Sequence, residues 1–247
     1  MTRTRAGIIL QARFGSSRLP GKALATIAGK TVLEHCLCRL MFAGVAPVVL
    51  ATTNRPDDDA LEAVARSLGI GVFRGDATDV LGRYVSAADA FEFDTIIRAT
   101  GDNPCVDIQG PGRLLAVMRT HAADYACEDG LPYGAAVEAV TRDALVRAAH
   151  ETYHAEDREH VTVYVRRNTG TFRVVLSPAP VPLRRPDLRV TVDTAADLER
   201  VRELYSRAGV EMPSLRHIVE AAGRPFDGAE GRPFDGAQGR PVRTEVA

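Results

Sequence analysis

The chain has 247 residues, 45% of them hydrophobic and 26% charged, which is the balance of an ordinary globule long enough for one large α/β domain. A formal net charge of -1 gives no electrostatic reason to expect a nucleic-acid polymer or an anionic membrane as partner. Cys36, Cys38, Cys105 and Cys127 form no CxxC pair, so neither a disulfide framework nor a zinc site is expected.

The first apolar run, Gly7 to Leu10, is too short for a signal-peptide core, and no later stretch approaches a membrane span; the cytoplasm is the expected compartment. Ile8–Leu10, Val48–Ala51, Val72–Phe73 and Thr95–Ala99 are brief and rich in β-branched residues, and read as buried strands. Helical patterns separate them. Val32, Leu33, Cys36, Leu37, Leu40 and Met41 keep one face, with Gly44 as stop; Leu61, Val64, Ala65 and Leu68 follow the acidic start Asp57-Asp58-Asp59 and end at Gly69; Val80, Leu81, Tyr84, Val85 and Ala88 form the third. This alternation predicts an α/β fold: a mainly parallel, twisted, Rossmann-like sheet with helices on both faces and a small antiparallel extension.

Residues around 123–140 and 171–176 look like strands, flanked by helices near 141–153 and 156–168. The block 123–180 reads as a sheet extension or as a dimerisation arm, and a homodimer goes with the second reading. Pro178, Pro180, Pro182 and Pro186 mark an extended crossing. Leu188–Val192 then reads as another strand feeding a helix that opens at Thr194, with Asp197 completing an acidic capping box. Asp197 and Asp107 receive only capping and turn roles. From Gly223 the character changes: Gly-Arg-Pro-Phe-Asp-Gly-Ala occupies 223–229 and again 231–237, and Gly-Arg-Pro begins again at 239. Such chain has little to bury, so 1–222 is expected to be the folded domain and 223–247 a disordered, low-complexity tail; the alternative is a peptide ligand anchored by Phe226 and Phe234.

The densest chemical signal is Gln11-Ala12-Arg13-Phe14-Gly15-Ser16-Ser17-Arg18-Leu19-Pro20-Gly21-Lys22, directly after the first strand. Ligands of open α/β sheets bind beyond the carboxyl ends of strands, where this loop must lie. Its small residues let backbone N–H groups approach a phosphate chain, and Arg13, Arg18 and Lys22 supply compensating charge. It is neither a Walker loop nor a GxGxxG turn. Asp102 and Asp193 each follow a predicted strand, and a parallel sheet brings such ends together despite the distance in sequence. One or two carboxylates with phosphate oxygens suit Mg²⁺.

The loop resembles the N-terminal signature of the cytidylyltransferase family, which includes the CMP-sugar-acid synthetases, and within it the spore-coat-polysaccharide-biosynthesis branch. The likeness continues through Ala51-Thr52-Thr53, Phe73-Arg74-Gly75, Asp79-Val80-Leu81-Gly82-Arg83-Tyr84, Arg98-x-Thr100-Gly101-Asp102-x-Pro104, Arg158-Glu159-His160-Val161-Thr162 and Val192-Asp193-Thr194. The resemblance implies a nucleotide-diphospho-sugar-transferase-like fold that transfers CMP from CTP to a small acidic acceptor. It implies Asp102 and Asp193 as Mg²⁺ ligands, and Arg13, Lys22 and Asp102 as the catalytic set. The nucleotide would be framed by Gln11, Ala12, Arg13, Gly15, Ser16, Arg18 and Lys22, by Ala51, Thr52 and Thr53, and by Asp79 and Thr100. Arg74 and Arg83 are either phosphate or substrate contacts or salt-bridge partners. Arg158 and His160 belong to an acceptor-side motif, with a packed helix histidine as the competing reading of His160. Phe14, Asn103 and Cys105 depart from the branch pattern. Rival readings are a sugar-1-phosphate uridylyl- or thymidylyltransferase, a nucleotide-sugar-dependent glycosyltransferase, and a catalytically silent nucleotide-binding subunit.

Overall fold

The computed structural model describes residues 5–223. The expectations placed on the repeat tail beyond Gly223 lie outside the described residues.

The strands are β1 (Ala6–Gln11), β2 (Thr26–Ile27), β3 (Lys30–Thr31), β4 (Val48–Thr53), β5 (Gly71–Gly75), β6 (Thr95–Thr100), β7 (Tyr125–Asp129), β8 (Glu138–Thr141) and β9 (Val174–Pro178). The helices are α1 (Val32–Phe42), α2 (Asp59–Ser67), α3 (Val80–Ala90), α4 (Gly110–His121), α5 (Arg142–Glu151), α6 (Ala155–Glu159), α7 (Val163–Arg167), α8 (Ala195–Ala208) and α9 (Leu215–Ala221). Seven strands form one sheet in the order β5-β4-β1-β6-β8-β7-β9, and β2 and β3 make a separate antiparallel pair. The half β5-β4-β1-β6 is parallel. β8 runs antiparallel to both β6 and β7, and β9 is parallel to β7. Within the 123–180 block, the strands β7, β8 and β9 continue the main sheet.

Period-two alternation sends successive residues to opposite faces. Ile8, Leu10, Leu50 and Ile97 pack under α1, α2, α4, α8 and α9, whereas Ile9, Val49, Ile96 and Val140 pack under α3, α5 and α7. Each core thus takes alternate residues of the same strands, which explains why these strands read as continuous apolar runs. Helix starts follow local chemistry: Thr31 and Glu34 form a capping box at α1, and Thr194 and Asp197 form the expected one at α8.

Three features differ from the sequence reading. Helix α4 has no counterpart there, because Gly110-Pro111-Gly112 looks like a loop; Pro at the first turn instead fits a helix start, where its missing N–H has no partner to lose. The helix expected over 156–168 is two short ones, α6 and α7, broken where Val161 takes φ 54° while fully buried. The strand expected at Leu188–Val192 is not a strand. Only Arg189 bridges, to Tyr133 of the 130–134 loop, through Tyr133 N–H to Leu188 O and Val190 N–H to Tyr133 O, both 2.8 Å. A loop offers no ladder to extend, so this segment is a strap rather than an eighth strand. Among the described residues, no helix is long and apolar enough to cross a membrane.

Candidate active site

The carboxyl ends of β1 and β6 open onto a cleft of about 620 Å³, walled by the 11–22 loop, the Thr100–Asn103 turn, the 127–134 segment, His160 and Asp193. The loop after β1 is fixed at several points. Gly21 sits at φ 69° under the Phe14 ring, a left-handed conformation that a side chain would strain. Asp58, 2% exposed, accepts from Phe14 N–H at 2.6 Å and Thr53 N–H at 3.0 Å and from the Thr53 hydroxyl. One buried carboxylate thereby ties the signature loop to the end of β4. Burial raises its pKa, and these hydrogen bonds outweigh burial and leave it lowered.

Lys22 brings the two candidate metal ligands together. Its Nζ donates to Asp102 Oδ2 at 3.0 Å and to Asp193 Oδ1 at 2.8 Å. Asp102 is held by the Thr100 hydroxyl at 2.6 Å, itself bonded by Asn103 Nδ2 at 2.9 Å. The backbone of the turn is pinned by Val192 N–H to Asp102 O at 2.8 Å and by the Thr191 hydroxyl at 3.2 Å. Asp193 also pairs with Arg18 and, through its other oxygen, with Arg189, both at 2.9 Å. Burial raises the Asp193 pKa, yet the bond and charge of Lys22, the Arg18 charge and the Arg189 bond outweigh it and hold it below the usual range. For Lys22, burial lowers the pKa, and its two carboxylate partners more than restore it. The side chains of Arg13 and Arg18 stay more than half exposed, accessible to an incoming anion.

Of the residues singled out from sequence, Gln11, Ala12, Arg13, Gly15, Ser16, Arg18, Lys22, Arg83, Thr100, Asp102, His160 and Asp193 line this cleft. Ala51, Thr52 and Thr53 are buried at the end of β4 and do not line it. Asp79 caps α3, accepting from Gly82 N–H at 2.8 Å, and pairs with Arg158; those two hold α3 to α6. Arg74 stands outside the cleft. Its guanidinium bonds Asp59 at 2.5 Å, Glu62 at 2.9 Å and the Thr53 carbonyl at 2.9 Å, so of its two readings the salt bridge describes it. Arg83 is buried, donates to the Asp76 carbonyl, and keeps its Nε without a partner.

Two acids have larger roles than the sequence reading allows. Asp107 and Glu128 are both buried and share the Arg113 guanidinium, with Glu128 at 2.6 and 2.7 Å. Asp197 caps α8 and also bonds Arg189 at 2.9 and 3.1 Å and Asp193 N–H at 3.2 Å. It therefore buttresses Asp193 from behind. Burial raises the Asp197 pKa, but the Arg189 bond, the Asp193 and Thr194 contacts and the Arg189 charge dominate and lower it from 3.8 to about 2. A carboxyl with a depressed folded pKa stabilises the fold above its unfolded pKa, and that contribution fades as pH falls through the folded value. Asp197→Asn is therefore expected to cost about 2 kcal/mol near pH 7, roughly 4–8 °C in Tm. The gap from the parent protein should close between about pH 4 and pH 2. A Tm difference that stays constant across that range in calorimetry would contradict the assignment.

The description cytidylyltransferase belongs to the family model that matches residues 7–221. A spore coat polysaccharide biosynthesis protein of Bacillus subtilis, SpsF, is 35% identical over 210 residues, covering 81% of this chain and 86% of that protein. A cytidylyltransferase structure from Leptospira borgpetersenii superposes with a TM-score of 0.82 at 30% identity, covering 88% and 93% of the two chains. A CMP-2-keto-3-deoxy-manno-octonic acid synthetase in complex with CTP gives a TM-score of 0.63 at 26% identity, covering 82% and 99%.

Proposed function

This chain belongs to the cytidylyltransferase family and is a CTP-dependent nucleotidyltransferase, and we propose that it transfers CMP from CTP to a small acidic acceptor, a sugar acid, with release of pyrophosphate. The observation that carries this reading is the convergence of Asp102 and Asp193 on one ammonium at the mouth of the signature loop. Two carboxylates whose oxygens meet at a single cationic point are a donor set suited to Mg²⁺ together with phosphate oxygens. Asp102 and Asp193 would hold that cation, which when bound supplies Lewis-acid stabilisation of charge on the phosphates.

The rest of the work falls to the chain itself. Displacement at the α-phosphorus needs positioning and charge compensation more than covalent help. Arg13, Arg18 and Lys22 would hold the β- and γ-phosphates and offset charge on the leaving pyrophosphate. Thr100 and Asn103 keep Asp102 in place, and Arg189 with Asp197 does the same for Asp193. Asp58 would preserve the shape of the loop that receives the triphosphate. The family match ends at residue 221, which supports reading 1–222 as the catalytic unit and the repeats as an appendage.

CTP with Mg²⁺ should raise the melting temperature, since a ligand at 100 times its Kd stabilises the native state by about 2.7 kcal/mol. By calorimetry CTP should bind more tightly than UTP or dTTP, and pyrophosphate should appear only when an acidic acceptor is added. Equal or tighter binding of UTP or dTTP would overturn the nucleotide assignment; turnover with neutral acceptors alone would overturn the acceptor class.

A further inference from the structure

Each carboxylate of the Asp102–Asp193 pair divides its two oxygens between the scaffold and the signature loop. Asp102 Oδ1 accepts from the Thr100 hydroxyl at 2.6 Å, and Asp193 Oδ2 takes the Arg189 guanidinium at 2.9 Å. Thr100 ends β6, and Arg189 is itself braced by Asp197 in the first turn of α8. The other two oxygens, Asp102 Oδ2 and Asp193 Oδ1, face the Lys22 ammonium at 3.0 and 2.8 Å. Arg18, from the same loop, reaches Asp193 Oδ1 at 2.9 Å. The pair is thus fixed from behind by one set of partners and covered in front by another.

The Lys22 backbone is pinned: its N–H donates to Leu19 O and its carbonyl accepts from Ala25 N–H, both at 3.2 Å. Beyond that anchor the side chain is a four-carbon stem ending in a point charge. Rotation about its own bonds can carry the ammonium several ångströms while the loop stays in place. A divalent cation held by both carboxylates would lie about 2.1 Å from an oxygen of each. The oxygens turned to the front already surround the ammonium. Two cations cannot share them, because they compete for the same lone pairs and repel one another. With its side chain 14% exposed, Lys22 leaves one anionic partner only for another, since an unpaired buried charge is costly. A triphosphate drawn in by the exposed Arg13 and Arg18 of the same loop supplies that partner.

We propose that Lys22 gates the metal site: its ammonium closes the Asp102–Asp193 pair to a divalent cation until the triphosphate of CTP draws it away. The inference rests on the proposed reading of CTP and Mg²⁺ at this site and adds how the two depend on each other. The coupling is reciprocal, so nucleotide raises metal affinity and metal raises nucleotide affinity by the same factor. It also has a sign that phosphate binding alone does not give. A lysine that only held phosphates would weaken CTP when deleted and leave the metal indifferent. A gating lysine, when deleted, weakens CTP and tightens the metal.

The test titrates the full chain with Mn²⁺, read by electron paramagnetic resonance, first without nucleotide. Lys22→Met and Lys22→Gln should each bind Mn²⁺ about tenfold more tightly than the parent, within the usual range of coupling between sites. Arg13→Met removes the same charge from the same loop, but its ion pair is with Glu159, so its Mn²⁺ affinity should stay near the parental value. Adding Asp193→Asn to Lys22→Met should abolish the gain, which places the bound ion at the pair. Saturating CTP should then raise Mn²⁺ affinity by a larger factor in the parent than in Lys22→Met. Both Lys22 variants should fold, because Asp102 keeps Thr100 and Asp193 keeps Arg18 and Arg189. Unchanged or weaker Mn²⁺ binding in them, an equal gain in Arg13→Met, or a gain that survives Asp193→Asn would overturn the proposal. So would unfolding of both variants that Mn²⁺ does not reverse, since the ammonium would then be a structural pin. Failure of CTP to bind the parent would instead strike the functional reading, and the nucleotide-free comparison stands apart from it.

Discussion

Asp102→Asn and Asp193→Asn are each expected to lower pyrophosphate release from CTP by about two to four orders of magnitude, because charge stabilisation at a metal-assisted phosphoryl centre is worth several kcal/mol and each ~1.4 kcal/mol is tenfold in rate. The substitution keeps size and removes charge. Lys22 retains one carboxylate partner in either variant, so its ammonium is not left isolated and the fold should hold. The two are not equivalent controls. Asp102 interacts with Lys22 and Thr100, whereas Asp193 also pairs with Arg18 and Arg189, so the Asp193 variant should lose more melting temperature for a similar loss of turnover. If either variant releases pyrophosphate at close to the parental rate, that residue is not a ligand of the reacting centre.

Arg113→Met is expected to produce the largest loss of stability. It removes the one guanidinium shared by Asp107 and Glu128, whose side chains are 6% and 4% exposed. Breaking a buried pair by deleting one partner costs about 3–5 kcal/mol, since the remaining charge is stranded; in a chain of this size that is roughly 6–20 °C in Tm. Restoring neutrality with Asp107→Asn and Glu128→Gln in the same chain should recover much of the loss, because the cost is the stranded charge rather than the missing bonds. A single variant that melts within a degree or two of the parent would show that water already reaches the cluster. This expectation replaces the one that gave Asp107 only a turn role.

The parts of the fold that were legible are those whose signal is local. β1, β4, β6 and α1 to α3 follow from apolar periodicity, and the Thr194–Asp197 capping box from four residues of sequence. The meeting of Asp102 and Asp193 was accessible by half: Asp102 does follow the end of β6, whereas Asp193 follows a strap that is no strand and is set beside Asp102 by Val192 N–H to Asp102 O. What escaped depends on partners distant in sequence. Leu188–Val192 has a strand's composition, but whether it pairs is decided by what lies beside it, and only the Tyr133 loop does. Asp58 looks like one of three helix-start acids; its contacts with Phe14 and Thr53 arise from the packing of β4 against the loop. Arg98 did carry a local signal: a cation inside the apolar run Thr95–Ala99 needs a buried counter-charge, and Glu138 lies 40 residues away.

Gly134 has consequences for how this enzyme can change over evolutionary time. Its φ is 95°, and a Cβ there would fall 2.6 Å from the Thr191 backbone nitrogen, so the 130–134 loop and the strap leading to Asp193 lie in direct backbone contact. The Arg189 guanidinium stacked 4.8 Å over the Tyr133 ring joins them a second time. The loop lines the cleft and would be a natural place to lengthen or shorten its wall, yet here any such change drags Asp193, the proposed metal ligand, with it. Diversification of this chain is thereby channelled into exchange of side chains such as Leu131 and Tyr133 on a backbone of fixed length. Libraries built to alter its acceptor should hold 130–134 constant in length and Gly134 constant in identity.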